Sequence, residues 1–341
     1  NGTDAHTDYD YMRVHDVYEL QHMDVNQIDD VDPDKRKILG RYMLANDIAA
    51  SETKDWDGGF QPIGSSDNSM GAFTGRFDGV GHTITGLTIK APTDDAGRYS
   101  RGMFAEIDHG AVIENVSLKD ASVSGVGQVG GIVGAAEEGS VIRNVSFSGK
   151  VQGGNGAYDT SVGGIVGTLK FGSTLENAYH AGTVEGNSFV GGIVGFAYQK
   201  NTIQNVRNAG KVVGNENLGG IVGTAEYKTN IRNALQTGIV EQRSGQTDPN
   251  VGGVVGLLDD ISTVTHAVWK EGSVTNGNGV LIENGVGKVS GNSTATDVEK
   301  RSETQMKLAE TYKDWKDGSG KALVATEGGK GTPWRIYDGK T

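Results

Sequence analysis

The sequence predicts an all-β fold, a parallel β-helix solenoid of about seven coils with small helical caps at both ends. Three observations predict it. The string VGGIVG recurs at 129–134, 162–167 and 190–195, with LGGIVG at 218–223 and VGGVVG at 251–256. Fourteen residues after the first glycine of each pair come Asn144, Asn177, Asn205, Asn233 and then His266. The stretches between them are short and β-branched, and none has the 3.6-residue period of a helix.

The anchor glycines Gly130, Gly163, Gly191, Gly219 and Gly252 are spaced by 33, 28, 28 and 33 residues. Two weaker copies precede them, one leading from Arg101 to Asn115 and one from Gly71 to Gly86, so the repeat runs from about residue 70 to 275. Further columns recur at fixed offsets: Ile132, Ile165, Ile193, Ile221 and Val254, then Ile142, Leu175, Ile203, Ile231 and Val264, and a closing Gly-x-Val at Val151, Val184, Val212, Val240 and Val274. Each copy holds three strands too short to bury an apolar face alone, so copies gain a core only by stacking. One copy per coil, with coils about 4.8 Å apart, is the simplest solution. A right-handed winding is expected from the usual hand of β-crossovers. Leucine-rich repeats have a similar period, but their leucines and helices are missing here. A propeller blade needs about 40 residues and four strands.

The expected division is an N-terminal cap over 1–55, the β-helix over 56–285 and a C-terminal cap segment over 286–341. Short helices are expected near 14–23 and 34–39, and another over 303–315, where it would cover the far end of the rod. Caps are needed because open terminal coils recruit other chains.

Composition narrows the function. With 54 glycines, five prolines and a net charge of −12 in 341 residues, the chain has no basic block to meet a phosphate backbone or an anionic membrane. No apolar run approaches the ~20 residues of a membrane-spanning helix. Absence of cysteine removes disulfides, zinc–thiolate sites and thiol nucleophiles together. The sequence opens at Asn1 without an initiator Met, as expected of a processed chain or an excised fragment.

The glycine pairs feed strands rather than a helix, and no lysine follows, so they do not make a phosphate loop. They are expected to turn a coil corner or to pack where the interior is narrow. Asn115, Asn144, Asn177, Asn205 and Asn233 are expected to form a structural ladder of stacked amides, with Asn tolerating left-handed backbone. The sequons at Asn115 and Asn144 fall in this column, where the amide is expected to be buried.

Two corners could carry chemistry. Five extra residues lengthen the copies at 152–161 and 241–250, both just after the Gly-x-Val, so two loops should rise at one corner about three coils apart. Tyr158, Asp159, Gln246 and Asp248 would wall a saddle whose floor holds Asn187 and Asn215. At another corner, seven and eight residues past the anchors, Tyr198, Glu226, Tyr227, Asp259 and Asp260 gather rings and carboxylates. They suit a sugar-binding corner, a glycosidase-like acid pair or structural calcium; a solvated polar turn has the same composition. A metal site at His15, Asp16 and His22 is the less economical account of three surface residues.

GGIVG followed by Ile-x-Asn-Val resembles the GLUG motif of bacterial secreted proteins. GRYMLANDIAAS (40–51), DWDGGFQPIG (55–64), FTGRFDGVGHTITGLTI (73–89), AVWKEGS (267–273), TQMKLAETYKDW (304–315) and TPWRIYDGKT (332–341) resemble passenger regions of haemagglutinin-like, two-partner-secretion adhesins. The resemblance implies a secreted or cell-surface, non-catalytic adhesin module. Its partner would be a host or cell-surface glycan or protein, with an outer-membrane transporter for secretion and no cofactor. The alternatives are a carbohydrate-active β-helix enzyme (polysaccharide lyase or glycosidase) and the accessory repeat region of a secreted metallopeptidase. Similar repeats precede the protease unit of immunoglobulin-A-cleaving metallopeptidases, and the HExxH helix of such a unit is absent from this sequence.

Overall fold

Copies that present the same β-branched segments at the same offsets can pair only with their own equivalents, and they do so in parallel. Val133, Val166, Val194, Val222 and Val255 are register partners in one ladder. Ile142, Leu175, Ile203, Ile231 and Val264 form a second ladder, and Val151, Val184, Val212, Val240 and Val274 a third. All fifteen side chains are fully buried. The structure, a computed structural model, describes residues 11–24, 40–64, 71–90, 99–154, 160–316, 322, 324–325 and 334–335. It is the expected parallel β-helix, of about eight turns.

Three sheets wrap the core. Six short strands, from Tyr99–Arg101 to Val251–Gly252, make one; seven, from Phe104–Ile107 to Val286–Val289, make the next. The third, largest sheet carries two strand runs per coil, such as Thr174–His180 followed by Thr183–Glu185. Pairing extends beyond residues 56–285 at both ends. Met12–Val14 pairs with Tyr42–Leu44, which lies on Arg76–Asp78. At the far end Val286–Val289 and Thr294–Arg301 continue the coils laid down by Val255–Leu258 and Thr263–Lys270.

The glycine pairs are explained by close packing, not by turning. Neither member of a pair has positive φ. A Cβ on the first, at Gly130, Gly163, Gly191, Gly219 or Gly252, would strike the carbonyl of the valine three residues on. A Cβ on the second would enter the side chain opposite: Phe147 at Gly131, His180 at Gly164, Asn208 at Gly192, Gln236 at Gly220 and Trp269 at Gly253. The pair is therefore a shelf on which one interior side chain per coil rests.

The N-terminal segment adds a helix, α1 (Val17–Gln21), whose first turn is capped by Asp16 Oδ1 accepting from the Glu19 amide at 2.8 Å. A 3₁₀ turn, His22–Asp24, follows, and Val17, Leu20 and Met23 join the main core. The helix expected over 34–39 lies outside the described residues. Near the C-terminus the 303–315 segment forms α2 (Glu303–Met306), with a capping box from Ser302 and Gln305, and a 3₁₀ turn at Ala309–Tyr312. It does not sit over the end of the rod. Met306, Tyr312 and Trp315 pack against Leu235 and Val268 on the outer flank of the large sheet, where two neighbouring coils expose apolar side chains that need cover.

Candidate functional site

The asparagine column is continuous and satisfied. Each Asn Nδ2 donates to the Oδ1 of the preceding coil: Asn144 to Asn115 at 2.9 Å, Asn177 to Asn144 at 2.9 Å, Asn205 to Asn177 at 3.1 Å and Asn233 to Asn205 at 2.9 Å. Asn115 donates onward to Asp78 at 2.9 Å. All five have φ between 53° and 56°, and His266 keeps the same geometry at 53°. The column is a structural ladder, as expected, but its amides are not uniformly buried. Asn144 is exposed, while Asn205 and Asn233 are covered. Asn233 also donates to the Lys316 carbonyl of the folded-back C-terminal segment. At both sequons it is therefore the ladder bonds, rather than burial, that engage the amide nitrogen.

The saddle corner exists in part. The Gln152, Glu185, Val213 and Glu241 positions lie in one register column, so both insertions leave the rod at the same corner. Asn187, Asn215 and Gln246 line a cleft of about 450 Å³, together with Gln152, Glu185 and Arg243. Asn215 donates to Asn187, and the Arg243 guanidinium reaches Gly186 O at 2.5 Å and Asn215 Oδ1 at 3.2 Å. Tyr158 and Asp159 lie outside the described residues. Asp248 is not part of the cleft wall: its carboxylate accepts from the Asn217 amide at 2.8 Å and the Asn250 amide at 3.0 Å, which pins the loop to the coil below. Sequence reasoning missed Gln152, Glu185 and Arg243. The signal that could have found Gln152 and Glu185 is their place immediately after the closing valine.

At the second corner the coils bring the expected residues side by side. Tyr198 is the register partner of Glu226, and the Tyr198 and Tyr227 rings lie 4.8 Å apart. Burial pushes the Glu226 carboxyl above its ordinary value, and the charges of Asp259 and Asp260 add to it. Asp260 in turn raises the Tyr227 phenol. Three further aromatic residues extend the corner: Phe171, which the same offset places there, lies 6.1 Å from Tyr198, Phe196 lies 5.9 Å from Tyr198, and Phe189 5.4 Å from Phe196. Backbone turns at this corner are left-handed, with positive φ at His109, Glu138, Phe171, Gln199, Tyr227 and Asp260 in successive coils.

Metal-compatible geometry falls elsewhere on that corner. Among the described residues, Asp108, His109 and Glu138 are the group whose ligand atoms all lie within 4.8 Å of one another; the Glu226, Asp259 and Asp260 set considered for calcium is not. His109 Nδ1 is 2.6 Å from Asp108 and Nε2 3.3 Å from Glu138. The N-terminal trio has local roles instead: Asp16 caps α1, His15 Nδ1 lies 3.0 Å from Glu19 and His22 Nδ1 lies 2.6 Å from Tyr18 O. No helix among the described residues is long and apolar enough to cross a membrane.

Comparison with known proteins places the repeat. The family model of the GLUG motif matches residues 125–152, one copy that ends just past the Gly-x-Val closed by Val151. The chain is a GLUG-containing repeat module. It is 43% identical over 118 residues to halomucin of Haloquadratum walsbyi, a match that covers 33% of this chain and 1% of halomucin. The crystal structure of a Bacteroides ovatus protein that bears the provisional name of an immunoglobulin A1 protease superposes with a TM-score of 0.68. That match covers 88% of this chain and 86% of the other at 20% identity, so it speaks to the fold alone.

Proposed function

We propose that this GLUG module is a non-catalytic binding surface of a secreted or cell-surface protein, contacting a host or cell-surface glycan or protein through loops at one corner of the rod. The observation that carries it is the polar cleft beside the lengthened 241–250 turn, where Gln152, Asn187, Asn215 and Gln246 present amides around the Glu185 and Arg243 charges. Amides, one acid and one guanidinium are the donors and acceptors that recognise hydroxyl-rich or peptide ligands. The partial match to halomucin supports an extracellular setting. Export would use an outer-membrane transporter, as in two-partner secretion. The test is adhesion of protein-coated beads to epithelial cells, comparing the parent with the Gln152→Ala/Gln246→Ala double variant and with a variant whose 241–250 turn is shortened. Weaker adhesion at an unchanged melting temperature is expected; undiminished adhesion by both variants rejects the cleft.

One observation favours a second function. Burial raises the Glu226 carboxyl, and Asp259 and Asp260 beside it add to the effect, the direction in which a general acid is tuned. A polysaccharide lyase or glycosidase would release new reducing ends or unsaturated products from a polysaccharide panel, and Glu226→Gln would abolish them. A third role, as the accessory repeat region of a secreted metallopeptidase, would place all proteolysis in another part of the parent protein. Proteolysis by this module alone would refute it.

A further inference from the structure

We propose that the exposed aromatic row around Tyr198 and Tyr227 is a second ligand site, taking the sugar rings of a polysaccharide that carries free amino groups. The proposal rests on the module being a binding surface, but not on the saddle cleft. Phe171, Phe189, Phe196, Tyr198 and Tyr227 form one chain of rings with neighbouring centroids 4.8 to 6.1 Å apart. They lie on the outside of the rod. Val194 and Ala197, on the same strand as Phe196 and Tyr198, are fully buried, whereas Phe171 is 40% and Tyr227 47% exposed.

The repeat does not carry rings at these positions in every coil. The register partners of Phe196 are Thr168 and Thr224, and those of Tyr198 are Lys170 and Glu226. At the left-handed corner the coils on either side of the aromatic ones carry Glu138 and Asp260. Aromatic side chains are thus concentrated on three successive coils whose neighbours manage without them, and an exposed apolar patch of this kind marks an interaction surface. A row running from coil to coil along the rod suits a stiff polymer of rings, whose aliphatic faces lie flat on aromatic ones.

Charge selects the kind of ring. Glu226 follows Tyr198 in register, and Asp259 and Asp260 follow on the next coil. Burial raises the Glu226 carboxyl and the two neighbouring aspartates add to it; an ammonium group relieves the crowding of the three acids, and a cation over a tyrosine face gains further. Lys200 and Lys228 occupy the adjoining turns, and Lys170 is tied to Glu137 at 2.7 Å. With acids at the end of the row and a net charge of −12, a polyuronate is repelled, while an amino sugar satisfies both the rings and the carboxylates.

The test is isothermal titration with short chitosan oligosaccharides, their N-acetylated counterparts and oligogalacturonates, at a pH where the sugar amine is protonated. Chitosan should bind most tightly and oligogalacturonate not at all. Tyr227→Ala should weaken chitosan binding about tenfold, while Tyr227→Phe retains it. Asp259→Asn/Asp260→Asn should erase the preference for chitosan over the acetylated form without erasing binding. Gln152→Ala/Gln246→Ala should leave chitosan binding unchanged, which separates this site from the saddle. Equal binding of all three glycans, equal binding of a polylysine peptide, or Tyr227→Ala binding like the parent at an unchanged melting temperature overturns the proposal.

Discussion

Two side-chain columns run along this rod, and they obey different rules. The outer one repeats one residue, Asn, from Asn115 to Asn233, and every amide is bonded to its neighbour. The inner one changes at every coil: Phe147, His180, Asn208, Gln236 and Trp269 are register partners in turn, and all lie within the core. Its hydrogen bonding is incomplete. His180 Nδ1 lies 2.7 Å from Asn208 Oδ1, but no protein partner meets His180 Nε2 or either amide atom of Gln236. The outer position is fixed by backbone geometry, because only Asn, Gly and a few others accept left-handed φ while bonding along the axis. The inner position is fixed by volume, because whatever stands there rests on a glycine that has no room for a Cβ.

The largest expected effect tests the glycine shelf. Gly192→Ala drives a methyl into Asn208 and the Gly220 carbonyl and should cost about 3 kcal/mol or more, read by denaturant unfolding. A loss below about 1 kcal/mol would show that the shelf can yield. Next comes the buried histidine. Burial holds His180 at about 4, below its ordinary 6.5. The unfolded chain therefore takes up this proton first as the pH falls. Stability contributed by the neutral ring is complete above pH 6.5, falls between pH 6.5 and 4, and the total loss is roughly 3 kcal/mol. His180→Phe, which copies the Phe147 level of the column, should flatten the melting temperature across that window. A slope that persists in the variant would assign the acid sensitivity to other groups.

The outer column should respond more mildly. Asn177→Ala removes two ladder bonds and places Ala at φ 53°, at a cost of about 2 kcal/mol. Asn177→Gly relieves the backbone and should recover about half of it. Equal losses would mean that the hydrogen bonds alone matter. The smallest effect has the opposite sign. Ile261 holds a β-branched side chain at φ 63° in a turn where earlier coils have Gly110, Gly139 and Gly172, and it is 55% exposed. Ile261→Gly should raise stability by up to about 1 kcal/mol in a thermal melt, since strain relief opposes the entropy that glycine adds to the unfolded chain.

Much of this was legible in the sequence because a repeat converts offset into register. The constant fourteen residues between glycine and asparagine placed the glycine and asparagine columns, and the offsets of Ile193 and Val194 placed the core; the inner column of Phe147, His180, Asn208, Gln236 and Trp269 shares no residue type and left no repeat to read. What stayed hidden concerns outward-facing residues that do not repeat. Nothing in the local pattern of Arg243 reports that its guanidinium spans to Gly186 and Asn215 on lower coils. Nor does the helical pattern of 303–315 report that Met306 and Trp315 fold back onto Leu235 and Val268. The same blindness applied to Asp248, whose charge reads as a wall residue and whose geometry makes it a loop anchor.

By itself the sequence determined the parallel stack, its glycine shelf and its asparagine ladder, because identical short strands can bury their apolar faces only against copies of themselves. The tertiary structure decided which outward side chains meet. Winding the chain brings Tyr198 of one coil against Tyr227 of the next, and Gln152 and Arg243 to one cleft across 91 residues of sequence. Those contacts depend on turn length and side-chain reach in three dimensions, and neither leaves a periodic trace in one.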